Sequence, residues 1–207
     1  GDLVTCYAGW QEYSVFPDTA DMVYKIQEKP GVPLQAYLGV AGMPGRTGYC
    51  GLMFVGEPKK GETVVVSAAS GPVGTVVGQT AKKEGCRAVG VAGGPEKCRY
   101  VVEELGFDAC VDYKAGNLEE DLKAACPDGI DIYFENVGGA VTRAVAPLLN
   151  QGARVPICGY VSAYNAEDPS KVETPFHVLK ALDPVPEHRF FLVTEWQDKH
   201  QEITGIL

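Results

Sequence analysis

Between Thr63 and Val193 the chain alternates short runs of β-branched and apolar residues with amphipathic stretches of about ten residues. Few folds tolerate that order. Thr63-Val64-Val65-Val66-Ser67 is unbroken, the pattern of a strand buried on both faces. Val73 to Glu84 follows with small or apolar residues at 73, 76, 77 and 81, and the pattern stops at Gly85 as a helix would. Ala88–Ala92, Ala109–Asp112, Ile130–Phe134, Ala153–Ile157 and Arg189–Val193 repeat the strand pattern. Between them helices are predicted at Glu96–Leu105, at Leu118–Ala125 under an Asn117 cap, at Ala140–Leu149 and near Phe176–Ala181. Strands joined by helices of this length run parallel. The class is α/β, a doubly wound parallel sheet of the Rossmann kind.

Upstream the texture differs. Gly1 to Leu38 holds short apolar pieces broken by Gly, Pro and Asp, with Leu3-Val4 and Tyr13-Ser14-Val15 reading as strands and Gly31-Val32-Pro33 as a turn. Gly39 to Gly56 is Gly-rich, with a helix expected around Thr47–Phe54 and a turn over Glu57–Gly61. The opening Gly1-Asp2 and the closing Ile206-Leu207 read as ends cut from a longer chain.

Charge narrows the partners. Lys plus Arg number 18 against 27 Asp plus Glu, a net charge of −9, which disfavours a nucleic-acid or anionic-membrane surface. No apolar run approaches the roughly 18 residues of a membrane span and no signal peptide opens the sequence, so a cytoplasmic location is expected. The 7 cysteines are odd in number and form no C-x-x-C pair, and the 3 histidines sit in the last fifth of the chain. Reduced thiols are expected, and no metal site.

In a sheet of this kind ligands sit at the carboxyl ends of the strands. The first strand–helix junction is Ser67-Ala68-Ala69-Ser70-Gly71-Pro72-Val73-Gly74. Gly71 permits a tight turn, Gly74 lets the helix approach the strand, and the free N–H groups of the helix start face an incoming anion. Pro72 donates none but suits a first helical turn. The alternative is a tight turn with no ligand. After the second strand an NAD site usually presents Asp or Glu to the ribose 2′-OH. Here Gly93-Gly94-Pro95-Glu96-Lys97-Cys98-Arg99 places two glycines there, with cations close behind. A glycine pocket beside Lys97 suits the 2′-phosphate of NADPH. Glu96 keeps NADH as the minor option, and Lys97 and Arg99 as solvated helix charges are the plain alternative. No Tyr-x-x-x-Lys pair and no G-x-S-x-G elbow occurs.

Gly42-Met43-Pro44-Gly45-Arg46-Thr47-Gly48-Tyr49, Ala68 to Gly74 with Gly78-Gln79, Glu96 to Tyr100, Glu135-Asn136-Val137-Gly138-Gly139 and Cys158 to Asn165 form a familiar set. Together they resemble the zinc-independent medium-chain dehydrogenases/reductases, in their NADPH-dependent alkenal/one (double-bond) reductase branch. The resemblance runs over essentially the whole chain. It implies that residues 1–38 are remnants of a GroES-like, β-rich catalytic domain and that 39–207 form the Rossmann NADPH-binding domain. It implies that Gly71, Pro72, Val73 and Gly74 hold the pyrophosphate, and that Gly93, Lys97 and Tyr113 surround the 2′-phosphate. Asn136 would sit near the ribose and nicotinamide. Cys158, Gly159 and the loop to Tyr164 would wrap the nicotinamide, with Phe191, Leu192 and Val193 lining it.

The reaction implied is reduction of the C=C bond of an α,β-unsaturated ketone or aldehyde, with hydride arriving at the β-carbon and Tyr164 stabilising the enolate. The substrate would be a small-molecule enone or enal, no metal would be needed, and a homodimer would form through the cofactor domain. Arg46 departs from the family by replacing an apolar residue. Plain alternatives remain for single residues: Asn136 as a helix cap and Tyr164 as a packing tyrosine. Cys158 reads as a wall residue without chemistry. For the whole chain the alternatives are an NADPH:quinone oxidoreductase, or a truncated NADPH-binding core that turns nothing over.

Overall fold

The computed structural model describes residues 1–17 and 23–207. A two-stranded antiparallel ladder comes first: β1 (Val4–Thr5) pairs with β2 (Tyr24–Lys25). Helix α1 (Met43–Cys50) follows and continues as a π-helical stretch over Gly51–Gly56. The parallel unit then unfolds in sequence as β3 (Thr63–Ser67), α2 (Gly74–Lys83), β4 (Arg87–Ala92), α3 (Pro95–Glu103) and β5 (Ala109–Asp112). Its second half is α4 (Leu118–Ala125), β6 (Ile130–Phe134), α5 (Gly139–Val145), β7 (Leu149–Ile157), α6 (Pro175–Lys180), β8 (Glu187–Phe190) and α7 (His200–Ile206).

Strands β3 to β8 make one six-stranded sheet in the order β5-β4-β3-β6-β7-β8, every pair parallel. The chain works outward from β3 to one edge, then returns to the other side of β3, so the topological switch lies between β3 and β6. Each central strand alternates its side chains between two cores. Val64, Val66, Ile132 and Phe134 meet Val77 and Ala81 of α2 and Val101 of α3 on one face. Val65, Val89, Val91 and Tyr133 meet Leu122 of α4 and Val141 and Val145 of α5 on the other. Burial on both faces is why these strands read as unbroken apolar runs.

Several expected elements move. Tyr13-Ser14-Val15 is not a strand: Val4–Thr5 finds its partner at Tyr24–Lys25, and Tyr13 and Val15 are left exposed without a ladder. The helix expected over Thr47–Phe54 is longer at both ends. Its π-helical stretch lies on Phe191 and Phe134, and a Cβ at Gly51 would stand only 2.2 Å from the Phe191 ring. The strand expected over Arg189–Val193 lies earlier, because its register against β7 runs out when β7 ends at Ile157. Val193 instead opens a 3-10 turn. Asn117 occupies the cap position of α4 but its side chain makes no capping hydrogen bond. Helix α7 had no counterpart among the expected elements.

Candidate functional site

The carboxyl ends of β3, β4, β5 and β6 enclose a groove of about 780 Å³ at the switch point. A wider cavity of about 1490 Å³ lies between the β1–β2 ladder, α1 and α7. Arg46 faces that second cavity and hydrogen-bonds Thr204 Oγ1 at 3.4 Å. Size does not decide between them. Only the groove combines a helix N-terminus, glycine turns and the ends of parallel strands, which is where such sheets take ligands.

The β3–α2 turn forms the floor. Ala68 has φ +52°, a left-handed conformation that costs a non-glycine residue about 1 kcal/mol or more and clusters at binding sites. Gly71 N–H donates to Ala68 O at 2.9 Å and closes the turn. A Cβ at Gly74 would stand 2.4 Å from that same oxygen, so only glycine lets α2 start so close to β3. Ala68, Ser70 and Gly71 line the groove. Of the other predicted turn residues, Val73 packs toward the core beneath, Gly74 is buried and Pro72 is exposed beside the groove.

One corner is built from the second and third strand ends. Gly93, Glu96, Lys97, Tyr100 and Tyr113 line it together. The hydroxyl end of the Tyr113 ring packs so close to Gly93 that a Cβ there would come within 2.7 Å of it. Lys97 is exposed and makes no ion pair among the described residues. Arg99 is exposed and does not line the groove. A free ammonium, a phenol and a bare glycine backbone make a corner able to hold a phosphate monoester. Asp112 stands behind it, accepting from Gly94 N–H at 2.7 Å and Lys114 N–H at 2.9 Å through one oxygen.

The opposite wall depends on Glu135, the first residue past β6 and fully buried. Its Oε1 accepts from Val137 N–H (2.8 Å), Gly138 N–H (2.9 Å) and Ser67 Oγ (3.1 Å), and its Oε2 from Thr142 Oγ1. A buried carboxylate survives only when its lone pairs are met in this way. The network spans the switch, joining the end of β3 to the turn after β6. Burial and the Glu135 charge push the Tyr133 phenol, against the same cluster, well above its ordinary range. Asn136 N–H donates to Ser67 Oγ (2.8 Å) and its Nδ2 to Ser67 O (2.8 Å), so it ties the two strand ends together rather than lining the groove.

The loop after β7 leans on this turn. Val161 N–H donates to Asn136 O (3.1 Å), Ser162 N–H to Val137 O (3.0 Å), and Ser162 Oγ to the same carbonyl (2.6 Å). Tyr164 is 65% exposed, edge-on to Tyr160, and its hydroxyl lies beside Gly159. Burial pushes the Cys158 thiol up to about 11, so it stays protonated at neutral pH and is no nucleophile. Phe191 is buried against Phe134 and Trp196, a core residue, while Leu192 is exposed. Asp112, Glu135, Ser67 and Ser162 were not singled out from the sequence. The one available signal was Glu135, a charge directly after an all-apolar strand end, which demands buried donors.

Residues 72–182 match the family described as zinc-binding dehydrogenase. The chain is 56% identical over 168 residues to the NADPH-dependent curcumin reductase of Escherichia coli (strain K12), covering 81% of this chain and 48% of that protein. It is 49% identical over 183 residues to the 2-alkenal reductase (NADP(+)-dependent) of Nicotiana tabacum, covering 86% of this chain and 52% of that one. The crystal structure of CurA from Vibrio vulnificus in complex with NADPH superposes with a TM-score of 0.88 at 44% identity, over 100% of this chain and 61% of that one. The chain thus spans about half the length of the curated relatives it matches. Among the described residues no three His, Cys, Asp or Glu side chains converge to hold a metal ion.

Proposed function

The chain belongs to the zinc-binding dehydrogenase family, and from that premise we propose that it binds NADPH and serves the reduction of the C=C bond of α,β-unsaturated ketones and aldehydes. The observation that carries the reading is the corner where Tyr113 packs on Gly93 beside the unpaired Lys97. An NAD site usually presents a carboxylate at that strand end to accept from the ribose 2′-OH, and here the position is glycine, with Glu96 only in the first turn of the following helix. Relatives named for NADPH or NADP(+) dependence, and a related structure solved with NADPH, favour the same cofactor.

In this reading Gly71 to Gly74 hold the pyrophosphate through the start of α2, and Gly93, Lys97 and Tyr113 the 2′-phosphate. Asn136, anchored on Ser67, holds together the two strand ends that face the ribose. Cys158, Gly159 and Tyr164 shield the nicotinamide end, with Leu192 and Val193 beside them. Phe191 contributes by packing from behind. NADPH held there would supply the hydride for the β-carbon of the enone, and a proton from solvent would complete the reduction at the α-carbon. Tyr164 donates a hydrogen bond to the carbonyl oxygen as it becomes an enolate, a charge that a preorganised neutral donor stabilises. Residues 1–38 as part of a GroES-like domain, 39–207 as the NADPH-binding domain, a homodimer and a cytoplasmic location belong to the same reading. No helix among the described residues is long and apolar enough to cross a membrane.

The test is a pair of titrations and a pair of substrates. NADPH and NADH binding to the protein and to Lys97→Ala are measured by nicotinamide fluorescence. Turnover is followed as loss of nicotinamide absorbance with a simple enone and, beside it, a quinone. We expect NADPH to bind about tenfold more weakly to Lys97→Ala, the loss of one charge-assisted contact, with NADH little altered. The enone is expected to be the better substrate. An equal loss for both cofactors overturns the 2′-phosphate role of Lys97, and turnover of the quinone alone overturns the substrate class.

A further inference from the structure

We propose that Asp112 is a positioning residue that creates the preference for a 2′-phosphorylated cofactor; the proposal rests on the NADPH reading above. Asp112 is the last residue of β5, and it touches two loops at once. Its Oδ1 accepts from Gly94 N–H (2.7 Å), in the β4–α3 loop, and from Lys114 N–H (2.9 Å), in the loop after β5. Between those two anchor points sits Tyr113, whose own N–H donates to Ala92 O at 3.1 Å. One carboxylate oxygen thus clamps the two strand ends that carry Gly93 and Tyr113.

The clamp acts where geometry is demanding. Gly94 holds φ +99° and ψ 151° immediately before Pro95 opens α3, so its orientation decides where the helix begins and where Lys97, in its first turn, points. Tyr113 lies so tightly on Gly93 that small separations of the loops would lift the ring away. Without an acceptor oxygen at residue 112 the Gly94 and Lys114 N–H groups would be left to solvent and the loops could part. The two N–H bonds also hold the Asp112 carboxyl below its ordinary range, so it stays an anionic acceptor at neutral pH.

The rest of the groove does not hang on this clamp. The β3–α2 turn closes on Ala68, and the opposite wall is held by Glu135 and Ser67. Those parts face what NADPH and NADH share. Loss of the clamp is therefore expected to act on the 2′-phosphate corner alone, and the role shows as discrimination rather than as general affinity.

The experiment measures dissociation constants of NADPH and NADH, by fluorescence titration, for the wild-type protein, Asp112→Ala and Asp112→Asn, with a thermal melt of each. Asp112→Ala is expected to weaken NADPH about tenfold and NADH by less than about twofold. Asp112→Asn keeps an acceptor oxygen and is expected to restore NADPH binding to within about threefold of wild type. An NADPH-over-NADH ratio in Asp112→Ala that is undiminished from wild type overturns the proposal. So does equal weakening of both cofactors, which marks a purely structural role, or an Asn variant as poor as the Ala one. Wild-type protein that binds both cofactors alike overturns the NADPH reading and the proposal with it.

Discussion

Glu135→Ala is expected to destabilise the protein by about 4 kcal/mol, moving the midpoint of a urea unfolding curve down by about 2 M. The carboxylate is fully buried and four donors point at it: two backbone N–H groups of the following turn, Ser67 and Thr142. Removing it leaves those donors unpaired, each at a cost of about 1–3 kcal/mol unless it relaxes to another partner, and leaves a void in place of the side chain. Relaxation is poor here, because Gly138 holds φ +79° against Tyr160 and Ser67 is already engaged by Asn136 N–H. Glu135→Gln should cost much less. Its amide oxygen can face the two N–H groups of Val137 and Gly138, and its NH₂ can donate to a Thr142 hydroxyl that reverses its role. The order Ala well below Gln, with Gln near wild type, is the signature of a hydrogen-bond hub. An Ala variant within about 0.5 kcal/mol of wild type, the range of a surface change, would remove Glu135 from that position.

That hub illustrates what periodicity reveals and what it hides. Thr63–Ser67 and Ile130–Phe134 lie where the apolar runs put them, because burial on both faces leaves a local pattern, and the shorter, half-buried Ala109–Asp112 at the sheet edge also lies where it was expected. The glycine turn after β3 and the Gly93–Lys97 corner were legible for a related reason: a glycine where a carboxylate is customary is a statement about one position. Tyr13–Val15 misled because a short strand-like triplet says nothing about whether a partner strand lies within reach, and none pairs with it among the described residues. In Arg189–Val193 a continuous apolar run concealed a division of labour, with Phe191 sealed between Phe134 and Trp196 and Leu192 left outside. Asp112 and Glu135 are the harder class. Each acts through a side-chain oxygen on several donors, of which Gly94 N–H and the Ser67 hydroxyl lie on other strand ends, a relation with no spacing to detect.

Tyr164→Phe is expected to lower kcat for a simple enone by about 100-fold while NADPH affinity and the KM for enone change by less than about twofold. A donor aimed at a developing oxyanion is used only as the charge appears, so its loss falls on the chemical step rather than on binding. The substitution is mild structurally. Tyr164 is 65% exposed and its hydroxyl is not committed to any hydrogen bond among the described residues, so the ring can keep its edge-on contact with Tyr160. Gly159 offers an independent handle on the same hydroxyl. A Cβ there would stand 2.6 Å from Tyr164 Oη, so Gly159→Ala should push the phenol aside and lower kcat in the same direction. If both changes act through that one oxygen, the double variant should be little slower than Tyr164→Phe alone, whereas independent effects would multiply. Steady-state turnover of the four proteins, each checked for unchanged NADPH binding, decides it. Full turnover in Tyr164→Phe would mean that the enolate is met by another donor and that Tyr164 is a packing residue of its loop.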